Sequence, residues 1–263
     1  ERTPFPRSLL ERLPLLKLLI TTGMANSSFD LEAATDLGIL VTGTSSRSDT
    51  TAELTWGLIM TLTRRIAEED KATRAGRWQT TIGPGLGGKT LGVLGLGRIG
   101  SQVAAYGRAF QMSVIAWSQN LTPDRATECG ATLVRKEELF AEADVLSIHV
   151  RLSERTRGLV TGHDLALMKP SAYLVNTSRG PIVDEAALIN VLRRKAIAGA
   201  ALDVFDEEPL PLNHPLRRMD NTVITPHLGY VTTESYRAMY SEAAEDIQAF
   251  LSGQFIRIVN PEV

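Results

Sequence analysis

Cysteine is almost missing: 263 residues hold one, Cys129. One thiol can form neither an internal disulfide nor a cysteine-rich metal site, and it suits a reducing compartment, so a cytoplasmic location and no bound metal are expected. An excess of one charge is missing too. Lys and Arg number 28 against 30 Asp and Glu, a formal net charge of −2, which provides no basic field to gather nucleic acid or a membrane surface. The short basic run Arg193-Arg194-Lys195 reads as the solvated end of a helix. No apolar run approaches the roughly 18 to 20 residues that span a bilayer, and no secretory signal opens the chain. What is present is ordinary: 43% hydrophobic and 22% charged residues, enough for a sizeable core in one large or two modest domains. The chain begins at Glu1, and a preceding segment of the natural protein is expected.

The stretch Thr90-Leu91-Gly92-Val93-Leu94-Gly95-Leu96-Gly97-Arg98-Ile99-Gly100 runs from an apolar strand pattern into G-x-G-x-x-G and then a helical pattern through Phe110. A second apolar run, Met112 to Trp117, completes the order of a βαβ unit. In a dinucleotide site Gly95 permits the tight turn, Gly97 lets the pyrophosphate approach the backbone, and Gly100 lets the helix pack on the strand. The N–H groups of Gly97, Arg98, Ile99 and Gly100 then face the phosphates at a helix N-terminus.

Around this stretch, strands and helices alternate. Strands are expected at Leu16–Thr21, Ile39–Thr42, Asp144–Val150, Ala172–Thr177, Gly199–Phe205 and Thr222–Thr225, and helices at Arg7–Leu13, Leu31–Leu37, Lys136–Ala143, Asp184–Lys195 and Thr233–Leu251. The alternation implies a parallel sheet covered on both faces. Thr50 to Arg74 reads as one long helix, with Leu54, Leu58, Leu62 and Ile66 on one stripe. The glycine-rich run Ile82 to Lys89 marks the expected domain boundary.

In open α/β sheets ligands bind beyond the carboxyl ends of the strands. Three such ends carry charged or titratable groups: Arg179, Glu208 and His227. Arginine grips a planar carboxylate with two parallel hydrogen bonds, and histidine moves a proton near neutral pH. A carboxylate on the other ring nitrogen fixes the tautomer and favours the imidazolium. Each residue taken alone also has an ordinary explanation, as a loop charge, an acidic turn or a hydrogen-bonded histidine.

Taken together, Asp30-Leu31-Glu32-Ala33-Ala34, Gly38-Ile39-Leu40-Val41, Ala52-Glu53-Leu54, Gly95-Leu96-Gly97-Arg98-Ile99-Gly100, Val175 to Glu185, Ala201-Leu202-Asp203-Val204-Phe205 with Glu208-Pro209, and Thr225-Pro226-His227-Leu228-Gly229 resemble the D-isomer-specific 2-hydroxyacid dehydrogenase family. That family includes glyoxylate/hydroxypyruvate reductases and phosphoglycerate dehydrogenases. The resemblance implies a Rossmann-type doubly wound domain, residues 85–228, inserted into a smaller flavodoxin-like α/β substrate domain, residues 1–84 and 229–263, the latter lacking its N-terminal part. It implies hydride transfer between NAD or NADP and a small D-2-hydroxy acid or 2-keto acid. Arg179 would hold the substrate, His227 would move the proton and Glu208 would orient His227. Thr177, His149, Asp203 (toward the nicotinamide amide), His227 and Gly229 would face the cofactor, and the backbone around Gly23, Met24 and Ala25 would face the substrate. The resemblance also implies a homodimer through the cofactor domain and the long helix. A dinucleotide-sensing or corepressor module of the same fold is the alternative function. Arg7 and Arg47 are further candidates to face an anionic group.

The chain departs from the NAD pattern. A carboxylate is expected about 20 residues past the glycines to bind the ribose hydroxyls, but Ser118 stands there, and Arg151 adds a cation in His149-Val150-Arg151-Leu152. Both point toward acceptance of NADP.

Overall fold

A computed structural model describes residues 3–45 and 49–261. The chain forms two compact units, Glu1–Arg47 with Tyr230–Val263, and Ser48–Gly229, so the second is inserted into the first along the sequence.

The first unit opens with α1 (Arg7–Leu10), β1 (Leu18–Thr21), α2 (Leu31–Asp36) and β2 (Leu40–Gly43). Asp30 caps α2 by accepting from the Ala33 N–H. β1 and β2 pair in parallel, and Leu10, Leu19, Ala33, Ala34, Ile39 and Val41 form their core.

The inserted unit begins with α3 (Asp49–Thr63) and α4 (Ile66–Arg74), then β3 (Thr90–Leu94), α5 (Arg98–Ala109), β4 (Ser113–Trp117), α6 (Pro123–Glu128) and β5 (Thr132–Leu133). It continues with α7 (Lys136–Glu142), β6 (Val145–Ile148), α8 (Gly162–Leu167), β7 (Tyr173–Asn176), α9 (Glu185–Arg193), β8 (Gly199–Leu202) and β9 (Thr222–Ile224). Its seven strands are all parallel in the order β5-β4-β3-β6-β7-β8-β9. This is the doubly wound Rossmann order with one strand added, and the order reverses between β3 and β6. Side-chain alternation feeds two cores. Leu91, Val93, Val145 and Val175 pack on the face that carries Trp56, Leu58 and Val103. Leu94, Leu146, Ile148 and Leu174 pack on the face that carries Leu139, Leu165 and Leu188.

The single helix expected over Thr50–Arg74 is two, because Arg65 takes a left-handed φ of 49° between α3 and α4. The apolar stripe stops with it: Leu58 and Leu62 are buried, whereas Ile66 is 49% exposed. The chain after α4 turns back, with the hydroxyls of Thr80 and Thr81 donating to Glu69 at 2.8 and 2.7 Å, and Gly83 seats against the Thr63 carbonyl, where a Cβ would lie 2.1 Å away.

The division between units also falls before α3, whereas the sequence pointed to residue 85. The physical reason is packing. Trp56 donates to the Val103 carbonyl at 3.1 Å, stacks on Phe110 at 4.6 Å, and shares a core with Leu91 and Ala201. α3 is therefore a layer of the inserted unit's sheet.

The first unit is completed by α10 (Thr233–Leu251) and the residues after it. Asn260 is buried and accepts from the Val41 N–H at 2.7 Å while donating to the Ile39 carbonyl and the Thr35 hydroxyl. Thr42 donates to the buried Asp246, which Arg257 also engages. Arg7 is taken up by Asp36 at 2.6 Å, and Arg47 lies outside the described residues. Replacing Asn260 by Leu strands the buried Val41 N–H, and a cost of about 1–3 kcal/mol in urea unfolding is expected. An unchanged midpoint would show that the amide contributes nothing.

Candidate active site

Hydrogen-bonded register aligns the carboxyl ends of six strands. Trp117 pairs with Leu94, Leu94 with Ile148, Ile148 with Asn176, Asn176 with Leu202, and Leu202 with Ile224. The next residue on each strand is therefore Ser118, Gly95, His149, Thr177, Asp203 or Thr225, all in one row. Most of the inserted unit's candidate residues stand in this row or within a few residues of it.

Gly95 has φ +99°, and a Cβ there would come within 2.8 Å of the His149 carbonyl carbon. At Gly100 a Cβ would meet the Gly95 oxygen at 2.0 Å. Both glycines are demanded by the fold itself. Gly97 is different, because a Cβ there would meet nothing within 4 Å. It is exposed, and it is the N-cap of α5 without a side-chain cap, so no side chain there takes up the N–H groups of the first helical turn. That is the cradle an anionic pyrophosphate fits, and the residues present fit a dinucleotide.

Ser118 is half-buried, and Gln119 and Asn120 beyond it are exposed. The end of β4 carries no carboxylate. Arg151 is exposed and makes no ion pair among the described residues; its carbonyl accepts from Thr156 at 2.6 Å. β4 and β6 flank β3, so these two ends stand about 10 Å apart, two strand spacings. His149 bonds Ser147 at 2.7 Å through Nε2, and burial lowers its pKa to about 3, so the ring is neutral.

The β7 end is shaped by a residue that the sequence did not single out. Asn176, 1% exposed, donates to the Arg179 carbonyl at 2.9 Å and accepts from the Ser178 N–H at 3.0 Å. Its place at a strand terminus before Thr-Ser-Arg-Gly was the available signal. Ser178 ties the turn to the Ile148 carbonyl at 2.9 Å, and one Arg179 nitrogen donates to the Ser178 carbonyl at 2.7 Å. The Thr177 hydroxyl pairs with that of Thr55 at 2.9 Å.

His227 sits at φ 59° on a turn governed by Asp203. This carboxylate is 0% exposed and accepts from the Thr225 hydroxyl at 2.6 Å and from the N–H groups of Leu228 and Gly229 at 2.7 and 2.9 Å. Burial raises its pKa even so. In this structure Asp203 holds the turn through these bonds. Glu208 then reaches Nδ1 of His227 at 2.6 Å, both side chains about one-fifth exposed, while its other oxygen accepts from the Phe205 N–H at 3.1 Å. The carboxylate is thus fixed at both oxygens, leaving Nε2 as the imidazole's other working atom.

In the other unit, Met24 and Ala25 are exposed on the loop after β1. Gly23 has φ +102° and donates its N–H to Thr44 at 3.0 Å, and Asn26 braces the loop through Thr21 and Ser28.

A doubly wound parallel sheet, an open glycine turn at a helix N-terminus, and an imidazole–carboxylate pair on the same sheet edge together define a nicotinamide-dependent oxidoreductase. The family model described as D-isomer specific 2-hydroxyacid dehydrogenase, NAD binding domain, matches residues 56–229. A glyoxylate reductase of Aeropyrum pernix is 44% identical over 97% of this chain and 79% of its own length. A phosphoglycerate oxidoreductase from Vibrio cholerae superimposes with a TM-score of 0.92 at 39% identity, over 96% of this chain and 82% of that one. The D-lactate dehydrogenase of Aquifex aeolicus, solved with NAD and lactic acid, gives 0.82 at 32% identity over 96% and 81%. The chain belongs to the D-isomer specific 2-hydroxyacid dehydrogenase family, and it is an NAD(P)-dependent oxidoreductase of small D-2-hydroxy and 2-keto acids.

Were His227 the acid of 2-keto acid reduction, the rate would fall as pH rises and the imidazolium is lost. On that reading Glu208→Gln, which removes the negative charge beside Nδ1, is expected to move the falling limb of kcat to lower pH; an unmoved limb counts against the pairing.

Proposed function

We propose that the protein reduces a small 2-keto acid of the glyoxylate or hydroxypyruvate type, with Arg179, His227 and Glu208 as its working groups. Arg179 binds the substrate carboxylate and carbonyl. His227 delivers a proton from Nε2 to the carbonyl oxygen during reduction and takes it back during oxidation. Glu208 orients the ring and balances its charge. When bound, the nicotinamide supplies or accepts the hydride. The N–H groups at Gly97 to Gly100 hold the pyrophosphate, Thr177, His149 and Gly229 lie along the same edge, and the Gly23-Met24-Ala25 backbone is a further candidate to bind the substrate carboxylate. The observation that carries this reading is the 2.6 Å contact between Glu208 and His227 with the second carboxylate oxygen already fixed. A sensing module has no need of a tautomer-locked imidazole, and the relatives are enzymes.

NADPH is proposed as an accepted cofactor. Its support is the missing carboxylate at Ser118 together with Arg151, exposed and without an ion pair among the described residues. The enzyme is proposed to work as a cytoplasmic homodimer. The support is Trp78, 78% exposed, and Ile82, 99% exposed, both on the segment after α4.

Initial rates with glyoxylate and hydroxypyruvate are expected to show NADPH oxidised at least as well as NADH. His227→Ala is expected to lower kcat by 10² or more. Nucleotide binding without turnover of any 2-keto acid would return the weight to a sensor. Sedimentation is expected to give twice the chain mass, and Trp78→Lys with Ile82→Lys to give the monomer; dimers in the double variant would place the interface elsewhere.

A further inference from the structure

Glu208 is carried on the long connection between β8 and β9, outside regular structure, yet its carboxylate must meet Nδ1 of His227 within a few tenths of an ångström. Its bond to the Phe205 N–H lies within its own turn, so it does not fix that turn to the rest of the unit. Two other features do. Gly180 lets the backbone of Phe205 approach so closely that a Cβ would be 2.1 Å from the Phe205 carbonyl carbon. The second is Glu185, the first residue of α9, on a helix start capped by Asp184, which accepts from Ala187 at 2.9 Å.

Glu185 spans the connection from both sides of Glu208. One carboxylate oxygen meets Nε2 of His214 at 3.1 Å, and the other accepts a longer bond, 3.4 Å, from the Asp206 N–H. The pair is 15% and 22% exposed, so water competes poorly for it. Nδ1 of His214 accepts from the Leu216 N–H at 3.4 Å, which assigns the ring proton to Nε2, where it is donated to Glu185. The charged neighbours are Arg157, Asp184 and Asp206. Burial and the Glu185 carboxylate raise the pKa of Asp206, while Arg157 opposes that rise. A carboxylate held beside two others is an expensive fastening unless its position matters.

We propose that Glu185 and His214 are positioning residues of the reaction, a second carboxylate–imidazole pair that holds the Glu208 loop where Glu208 meets His227. Neither touches the reacting atoms, and the inference rests on the proposed roles of His227 and Glu208.

The test compares Glu185→Ala, Glu185→Gln and His214→Gln with Glu208→Gln and His227→Ala in the full chain, using NADPH and glyoxylate. Glu185→Ala is expected to lower kcat about tenfold, a fraction of the 10² to 10⁴ a general acid contributes. KM should stay within about twofold, and the falling pH limb should move the same way as in Glu208→Gln. Glu185→Gln, which retains an acceptor oxygen, should recover most of the rate. In the Glu185→Ala, Glu208→Gln double variant the limb should move no further than in Glu208→Gln alone. If Glu185→Ala does not fold, His214→Gln carries the same expectation. A rate loss that follows lost folded protein, with the limb at its wild-type position, overturns the proposal and makes the pair a structural fastening. If Glu208→Gln itself leaves the limb unmoved, or His227→Ala stays active, the reading of the central pair falls and takes this inference with it; the first result leaves that reading standing.

Discussion

Parallel hydrogen-bond register is the constraint on which the inserted unit depends. A parallel ladder fixes which residues of neighbouring strands lie side by side, and here it brings Trp117, Leu94, Ile148, Asn176, Leu202 and Ile224 into one line. Everything chemical follows from what each chain does in the residues after that line. A one-residue slip in any strand would turn its apolar side chains to the wrong face and displace its polar end. The two apolar cores therefore enforce the alignment of the polar edge.

The edge is assembled from short polar side chains that act on backbone. Asn176 shapes the Arg179 turn, Asp203 shapes the His227 turn, and Glu208 closes its own turn before reaching the imidazole. Holding a histidine at positive φ costs on the order of 1–3 kcal/mol, and the three bonds to Asp203 offset it. His149 is the counterexample. It lies in the same row but is neutral, because burial outweighs its single bond to Ser147. Two histidines on one edge thus have different surroundings, His227 with a carboxylate at Nδ1 and His149 fully buried.

Much of this was legible in the sequence, and the reasons are specific. Gly95 and Gly100 reveal themselves because a strand, a turn and a helix surround them, and the structure requires both sterically. The alternation of elements predicted the parallel sheet, since buried strands and amphipathic helices have different periods. Arg179, Glu208 and His227 emerged only as a set, because single polar residues after strands are common. The break at Arg65 was hidden: no glycine or proline marks it, and the stripe runs on in sequence to Ile66, which the fold leaves exposed. The division before α3 was equally hidden, because the glycine-rich run at 82–89 signals a turn whether or not a unit ends there. The part Asp203 plays in holding the His227 turn was hidden too, since nothing in one sequence reveals that its partners are backbone groups some 25 residues away.

The first unit is built from two ends of the chain, and this bears on how it can be made. Asn260 supplies an amide to Val41 across 219 residues, and the whole of Ser48–Gly229 intervenes. On a ribosome, β1 and β2 emerge long before the segment that satisfies them, whereas the inserted unit is contiguous and can fold as soon as it is released. Closing so long a loop is entropically unfavourable while the intervening chain is loose and far easier once it is compact. Vectorial synthesis therefore favours a sequence in which the dinucleotide fold forms first and the terminal segments join last.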